Sequence, residues 1–313
     1  MTITKEVLTT SGTWVSPVGI SYANIYLING GNGGQGGCGG GGGASDQCRL
    51  GGSGGGRGNN GDNGKFALFI NLPIVPSTSY NYVIGAAGVG GVGGIGGTGG
   101  VGSMGYGATG TAGATATIGG ITTFGSCSIC VQSNTFATNR SGEGGGYTHV
   151  QLDSASGAAA NLGISSTGIS NMYLISNQTY NVFNTATNPI AGTGGANVFD
   201  AGQGSGAGRA PEVQGIYMIY DFDILTNYSV ASGGTGHANG VDGANGQTSG
   251  LAGNTGSNAN NQPNNTGFGG LGGGGGSGGS GAGVAGQVKG GGFGGNGGNG
   301  GNGGSGKIII YWW

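Results

Sequence analysis

Two aspartates separated by one residue have the spacing of a paired-carboxylate site. Asp221 and Asp223 would share one face of a strand, because alternate residues of a strand point the same way. Such a pair can act as general acid and base or bind Ca²⁺. The alternative, which we favour, is two solvated carboxylates on a polar strand face.

Other catalytic combinations are not supported by the residue types present. The chain has two histidines, His149 and His237, which rules out a plausible Ser-His-Asp set or a histidine metal cluster. The glycines before Lys307 resemble a phosphate-binding loop, but Ile308 stands where that loop carries serine or threonine. We therefore predict a protein that is not an enzyme and that uses no cofactor and no metal.

The four cysteines form two pairs with different spacings. Cys127 and Cys130 have the C-x-x-C spacing, whereas Cys38 and Cys48 lie ten positions apart. A zinc site would need two such knuckles, and the second spacing does not fit. If 126–131 is a strand, the thiols of Cys127 and Cys130 point to opposite faces. Free structural thiols are the preferred interpretation, with a disulfide and a metal site as alternatives.

Charge and hydropathy exclude several classes of protein. The chain has 8 basic and 10 acidic residues and a net charge of −2, which gives no nucleic-acid footprint. No apolar stretch approaches the length of a membrane span, and the first six residues do not resemble a signal peptide. We expect a protein made in a cytoplasm, without membrane insertion.

Glycine accounts for 88 of 313 residues and recurs with a period of three. The period is that of polyproline II geometry rather than of an α-helix or a strand. Two faces of a Gly-Gly-X helix carry no side chain, so backbones can approach and bond laterally. We predict an all-β protein with about six polyglycine II helices in a two-layer bundle, side chains outward; flexible linkers are the alternative. The stretches are 29–38, 50–65, 89–101, 240–256, 268–280 and 293–305.

The residues between the glycine pairs form stripes of two kinds. The polar stripes predict a solvent-exposed surface; they comprise Asn29, Asn32, Gln35, Asn296, Asn299 and Asn302. The apolar stripe comprises Val89, Val92, Ile95, Val101 and Met104. A line of apolar side chains should not face water in a protein so poor in charge. We predict that it packs against 121–232 or against a neighbouring subunit of a homo-oligomer.

Strand-like segments bracket the glycine stretches, and both termini contribute to them. We predict one small antiparallel sheet that contains strands from both ends of the chain, and hence a single domain over 1–313. Within 121–232 glycine becomes sparser and aromatic residues gather, so we interpret this range as a β/loop-rich insertion. Its strand candidates are 147–152, 172–175 and 213–225.

By the framework we mean the strands and glycine stretches outside the insertion. Three parts of it resemble the glycine-rich domains of phage tail fibres. The opening is Thr10–Gly19 (TSGTWVSPVG), followed by a strand and Asn29-Gly-Gly; the others are GGITTFG from Gly119 and GGSGKIIIYW from Gly303. The glycine stretches also resemble the polyglycine II sandwiches of T-even-type fibre-tip adhesins, in which loops at one end contact the bacterial receptor. The resemblance covers about 1–125 and 232–313, and it does not extend to 126–231.

The resemblance implies a phage virion protein of a tail fibre or tail tip. Such an adhesin binds a glycan or an outer-membrane protein of the host surface, and its other partners are virion proteins. Tyrosine rings can stack on sugars, although core tyrosines are the alternative. The candidate receptor-binding residues are Tyr147, Tyr173, Tyr180, Tyr217, Tyr220 and Tyr228. Alternative functions are a structural virion decoration or connector, such as a head fibre or tail spacer, and, more remotely, an antifreeze protein.

Overall fold

A computed structural model of the chain describes residues 3–45, 51–52, 54–56, 58–59, 61, 64, 66–102, 105–128, 141, 183–186, 213–220, 225–229, 252–267, 269–276, 278–279 and 290–313. Within these residues every regular element is a strand and every pairing is antiparallel, in agreement with the predicted all-β class. The described residues contain no helix that could cross a membrane.

The strands lie in three sheets. Their bounds are β1 Thr4–Leu8, β2 Gly12–Val15, β3 Tyr22–Ile28, β4 Phe66–Pro73, β5 Ser79–Val83, β6 Thr123–Phe124, β7 Cys127–Ser128, β8 Phe183–Ala186, β9 Val213–Tyr220, β10 Leu225–Ser229 and β11 Lys307–Trp312.

The first sheet joins the two ends of the chain. Its strand order is β1-β11-β3-β4, and Thr4 pairs with Trp312 at one end of the β1–β11 ladder. The prediction that both termini supply strands to one antiparallel sheet is therefore confirmed. The centre of β11 is apolar without alternation because both faces of the sheet are buried there: Ile308 and Ile310 lie in one hydrophobic cluster, and Ile309 and Tyr311 in another.

The second sheet has the order β2-β5-β6-β7 and shares the main hydrophobic core with the first. Trp14 of β2 is buried at the centre of that core. Its ring lies 5.7 Å from the ring of Phe124, 5.7 Å from that of Trp312 and 6.0 Å from that of Tyr80, measured between centroids. Residues 121–128, the first part of the expected insertion, thus contribute β6 and β7 to the framework.

The third sheet has the order β10-β9-β8 and lies within the expected insertion. The strand candidate 213–225 corresponds to β9 and the first residue of β10. The candidates 147–152 and 172–175 lie outside the described residues.

Seven glycine-rich segments, run 1 to run 7, make up most of the remaining described structure. They occupy 29–45, 51–64, 85–101, 105–120, 252–262, 267–279 and 290–306, with the gaps given above. We call the end beside β3, β5, β6 and β11 the sheet end and the opposite end the far end. Runs 1, 3 and 6 lead from the sheet end to the far end, and runs 2, 4, 5 and 7 lead back.

Run 1 is hydrogen-bonded through its backbone to five other runs. Every third amide from Gly30 to Ser45 donates to a carbonyl of run 4, and every third amide from Gly31 to Gly43 donates to run 7. The amides of Gln35 and Cys38 donate to run 2, and carbonyls of run 1 accept from runs 3 and 6. A segment in a two-layer arrangement has fewer neighbours, so the predicted two layers do not describe run 1.

The surrounding runs are hydrogen-bonded to one another in a fixed order. Run 4 donates to run 3, run 7 donates to runs 3 and 6, and run 2 donates to run 6. The order around run 1 is therefore run 4, run 3, run 7, run 6 and run 2. Run 5 lies outside this set, because it donates to run 7 and accepts from run 6.

The polar stripe of run 1 is buried, which corrects the prediction of a wet surface. Asn29 and Asn32 are fully buried and Gln35 is 5% exposed. Their side-chain oxygens accept hydrogen bonds from Thr122 N (2.8 Å), from Gly119 N (2.9 Å) and from the side-chain amide of Asn59 (2.9 Å), respectively. These side chains therefore join run 1 to its neighbours instead of facing water.

Run 4 was not among the predicted glycine stretches. Its triplets carry one glycine, as at Gly107, Gly110 and Gly113, with alanine or threonine at most other positions. A Cβ at Gly110 or Gly113 would meet carbonyl oxygens of run 1, whereas the alanines and threonines point outward or toward run 3. One glycine per triplet is thus enough for a run that has a neighbour on only part of its surface.

Candidate interaction surface

Three of the six tyrosines proposed for receptor binding, Tyr147, Tyr173 and Tyr180, lie outside the described residues. Tyr217 of β9 and Tyr228 of β10 stand opposite each other in the strand register, and Tyr220 stands opposite Leu225. The strand pairing thus brings two of the six candidates together.

The predicted apolar stripe lies on the outer side of run 3 and is exposed. The exposed fractions are 57% for Val89, 66% for Val92, 67% for Ile95 and 80% for Val101. Met104 and most of 121–232, the predicted packing partner, lie outside the described residues. Along the run exposure follows the triplet, with the apolar residue exposed, the first glycine half-buried and the second buried.

Run 4 extends this apolar surface. It is hydrogen-bonded alongside run 3, and its Tyr106 and Ile118 are also exposed. No residue from 85 to 120 carries a charge. We name the outer side chains Val89, Val92, Ile95, Val101, Tyr106 and Ile118 the valine face.

Threonines of run 4 satisfy outward amides of run 3. Val89 N donates to Thr117 Oγ1 and Ile95 N donates to Thr111 Oγ1, both at 2.7 Å. Ala114 occupies the same position relative to Val92, because its amide donates to Val92 O as those of the two threonines donate to Val89 O and Ile95 O. Alanine has no side-chain oxygen to offer to Val92 N.

Replacing Ala114 with threonine should therefore stabilise the protein. A new bond from Val92 N to the introduced hydroxyl is expected to raise the free energy of unfolding by about 0.5–1.5 kcal/mol. Chemical denaturation of purified wild-type and A114T protein measures the difference. Ala112→Thr is the control, since Ala112 is exposed and its amide makes no bond equivalent to that of Ala114. An equal gain in both variants would contradict the explanation.

Asparagines of run 7 play the same part on the other side of run 3. The Oδ1 atoms of Asn302, Asn299 and Asn296 accept from Gly90 N, Gly93 N and Gly96 N at 2.8–2.9 Å. Asn299 and Asn296 are exposed, so for this stripe the predicted polar surface agrees with the structure. The stripe also has a structural role that its composition did not reveal.

The described cysteines are free thiols. Cys38 is fully buried, and Cys127 is partly buried at the sheet end. Burial raises the pKa of the Cys38 thiol above its ordinary value of 9.0, partly offset by backbone hydrogen bonds at Gly113 and Gly56. Burial also raises the pKa of the Cys127 thiol. Cys48 and Cys130 lie outside the described residues, so their alternatives stay open.

Folding should protect the Cys38 thiol from alkylation. A neutral, buried thiol is neither nucleophilic nor accessible, so iodoacetamide at pH 8 should modify Cys38 only after unfolding. Because the folded-state pKa is raised, the neutral thiol's contribution to stability is complete below the unfolded pKa. It is lost as pH rises above about 9. Mass-spectrometric mapping of the modified cysteines checks the first point, and rapid labelling of Cys38 in folded protein would contradict it.

The described residues bring together no cluster of metal-ligating side chains. They contain no group of three or more histidine, cysteine, aspartate or glutamate side chains that could bind a metal ion. Asp221, Asp223, His149 and His237 lie outside them. Lys307 is buried and begins β11, so a strand follows the glycines there, as predicted, instead of the helix of a phosphate-binding loop.

Comparison with known proteins found no similarity: no protein-family model matches this sequence, and no curated protein is significantly similar to it.

Proposed function

We propose that the seven runs are polyglycine II helices packed side by side in one bundle. The observation that supports this is the lateral hydrogen bonding, which recurs at every third residue along each pair of neighbouring runs. A period of three is the repeat of polyglycine II geometry, and a β-ladder would repeat every two residues. In the proposed arrangement run 1 is a central helix with five neighbours.

Hydrogen exchange tests this arrangement. Successive amides of run 1 donate in turn to runs 4, 7 and 2, so nearly all of them should exchange slowly. Glycines of a flexible linker would exchange at the rate of an unstructured peptide. Rapid exchange throughout 30–43 in native protein would exclude the bundle.

We further propose that the protein is a non-enzymatic component of a phage virion, an adhesin of the tail fibre or tail tip. The three sequence parts that resemble tail-fibre domains contribute β2, β6 and β11, which all lie in the two sheets at the sheet end. A rigid framework with one large β/loop insertion suits presentation of a variable recognition segment. The proposed partners are other virion proteins and a glycan or protein of the host surface.

Two experiments test the adhesin proposal. The purified full-length chain should bind cells of the host and inhibit infection by competing for the receptor. In a reconstruction of the virion it should lie at the distal end of a fibre or tail. Failure to bind host cells, with the protein located on the capsid or within the tail shaft, would favour the decoration or connector instead.

A further inference from the structure

The valine face is an apolar surface that lacks any charge and lies along the length of the glycine-rich part. Four of its side chains lie in line on run 3 and are each more than half exposed. Exposed apolar lines of this length are unusual on soluble proteins unless another surface covers them. The path of the chain indicates which surface that is.

The chain leaves the framework at one end and returns to it at the other. Ser128 closes β7 at the sheet end, beside β6. Run 5 begins at the far end, because Gly253 N donates to Phe293 O near the start of run 7, and it reaches the sheet end only at Gln262. Residues 129–251 therefore connect two points that lie about the length of a run apart, roughly 50 Å for sixteen residues in this geometry.

The point of departure lies next to the valine face. β6 directly follows run 4 in the chain, and β7, with which the described part of this region ends, pairs with β6. Run 4 carries Tyr106 and Ile118 of the valine face and is hydrogen-bonded alongside run 3, which carries the other four residues. The valine face is therefore an apolar surface that begins beside the strand from which residues 129–251 leave.

The segment that makes this crossing carries apolar residues suited to such a surface. Residues 216–220 of β9 read Ile-Tyr-Met-Ile-Tyr. None of these five residues is charged, and β9 pairs with β8 and β10 in a three-stranded sheet. A three-stranded sheet of this kind needs a packing partner on at least one face.

We propose that the valine face is the docking surface for residues 129–251 of the same chain. The insertion then lies along the flank of the framework, held by apolar contacts with runs 3 and 4. A further consequence rests on the proposed adhesin function: the receptor would be contacted from the side of the glycine-rich part as well as from its end. Failure of the docking proposal would leave the adhesin proposal untouched, since host-cell binding is measured separately.

Photo-crosslinking in the full chain tests the proposal directly. A benzophenone amino acid is placed at Val92 or Ile95, and, as a control, at Val75, which is 62% exposed between β4 and β5. The first two positions should give products of monomeric mass in which the label is joined to peptides from 129–251. Val75 should give little or none of this product.

Three results would overturn the proposal. The first is crosslinked products of twice the chain mass, which would assign the face to a second copy. The second is the absence of any crosslinked product, because the label meets only water. The third is equal crosslinking from Val75. A second measurement uses the double variant Val92→Asp with Ile95→Asp. Protease cleavage within 129–251 should rise roughly tenfold, since it follows the undocked population. Protection of Cys38 shows that the framework remains folded, and an unchanged cleavage rate in folded protein would also overturn the proposal.

Discussion

Replacing Gly37 with alanine should lower the free energy of unfolding by about 3–5 kcal/mol or prevent folding altogether. A Cβ at this position would lie 2.5 Å from the carbonyl carbon of Gly274 and closer still to its oxygen, with Gly273 O at 2.9 Å. All three atoms belong to the backbone of run 6, so no side-chain rotation can relieve the contact. Runs 1 and 6 would have to separate, and the bonds between them would be lost.

The control is an alanine substitution at a glycine that has space. At Gly290, in run 7, the nearest atom to an added Cβ is Gly100 O at 3.5 Å, an ordinary contact. Gly290→Ala should be neutral or slightly stabilising, because alanine restricts the unfolded chain. Thermal and urea unfolding of both variants measures the contrast. Comparable stability for the two would mean that runs 1 and 6 are not in contact.

Replacing Thr122 with valine should destabilise the protein by about 2–3 kcal/mol, which is large for an isosteric change. The Thr122 side chain is fully buried where runs 1, 3 and 4 meet the sheets. Its hydroxyl donates to Ile28 O (2.6 Å) and accepts from Gly85 N (2.9 Å). Valine fills the same volume but leaves both groups of the backbone without this partner.

The neighbouring residue provides the matched control. Thr123 lies in β6, is only partly buried, and has a side chain that makes neither of these two bonds. Thr123→Val should change the unfolding free energy by less than about 0.5 kcal/mol, as for most substitutions away from buried networks. Urea denaturation at constant pH compares the variants. Equal effects at the two positions would show that the hydroxyl bonds of Thr122 contribute little.

Strand positions were predictable because local sequence largely determines them, and strand-like segments at both termini suggested that they share one sheet. The strand-like segments before Asn29 and at the C-terminus are local signals, and the structure has β3 and β11 there. Runs with two glycines per triplet were equally visible. Run 4 was missed because its single glycine per triplet is diluted by alanine and threonine. A search for glycine at any three-residue spacing between strands would have found Gly107, Gly110 and Gly113.

The environment of each stripe could not be predicted, because it depends on the lateral position of the run. Asn32 and Asn299 each begin an Asn-Gly-Gly triplet, yet Asn32 is fully buried beside run 4 and Asn299 is exposed. Which run occupies the centre is decided by contacts between segments far apart in sequence. The role of Thr122 was missed for the same reason, since its partners at Ile28 and Gly85 are distant along the chain.

The threefold repeat of the hydrogen bonds also constrains how such a protein can change in length during evolution. Inserting or deleting one whole triplet in a run keeps every later residue facing the same neighbour. A change of one or two residues would turn glycines outward and aim side chains at the adjacent backbone, with the consequence described for Gly37. An insertion or deletion of nine nucleotides, which encode one residue triplet, preserves both the reading frame and the packing. The far end of the framework can thus grow or shrink in fixed steps, while the core at the sheet end stays unchanged.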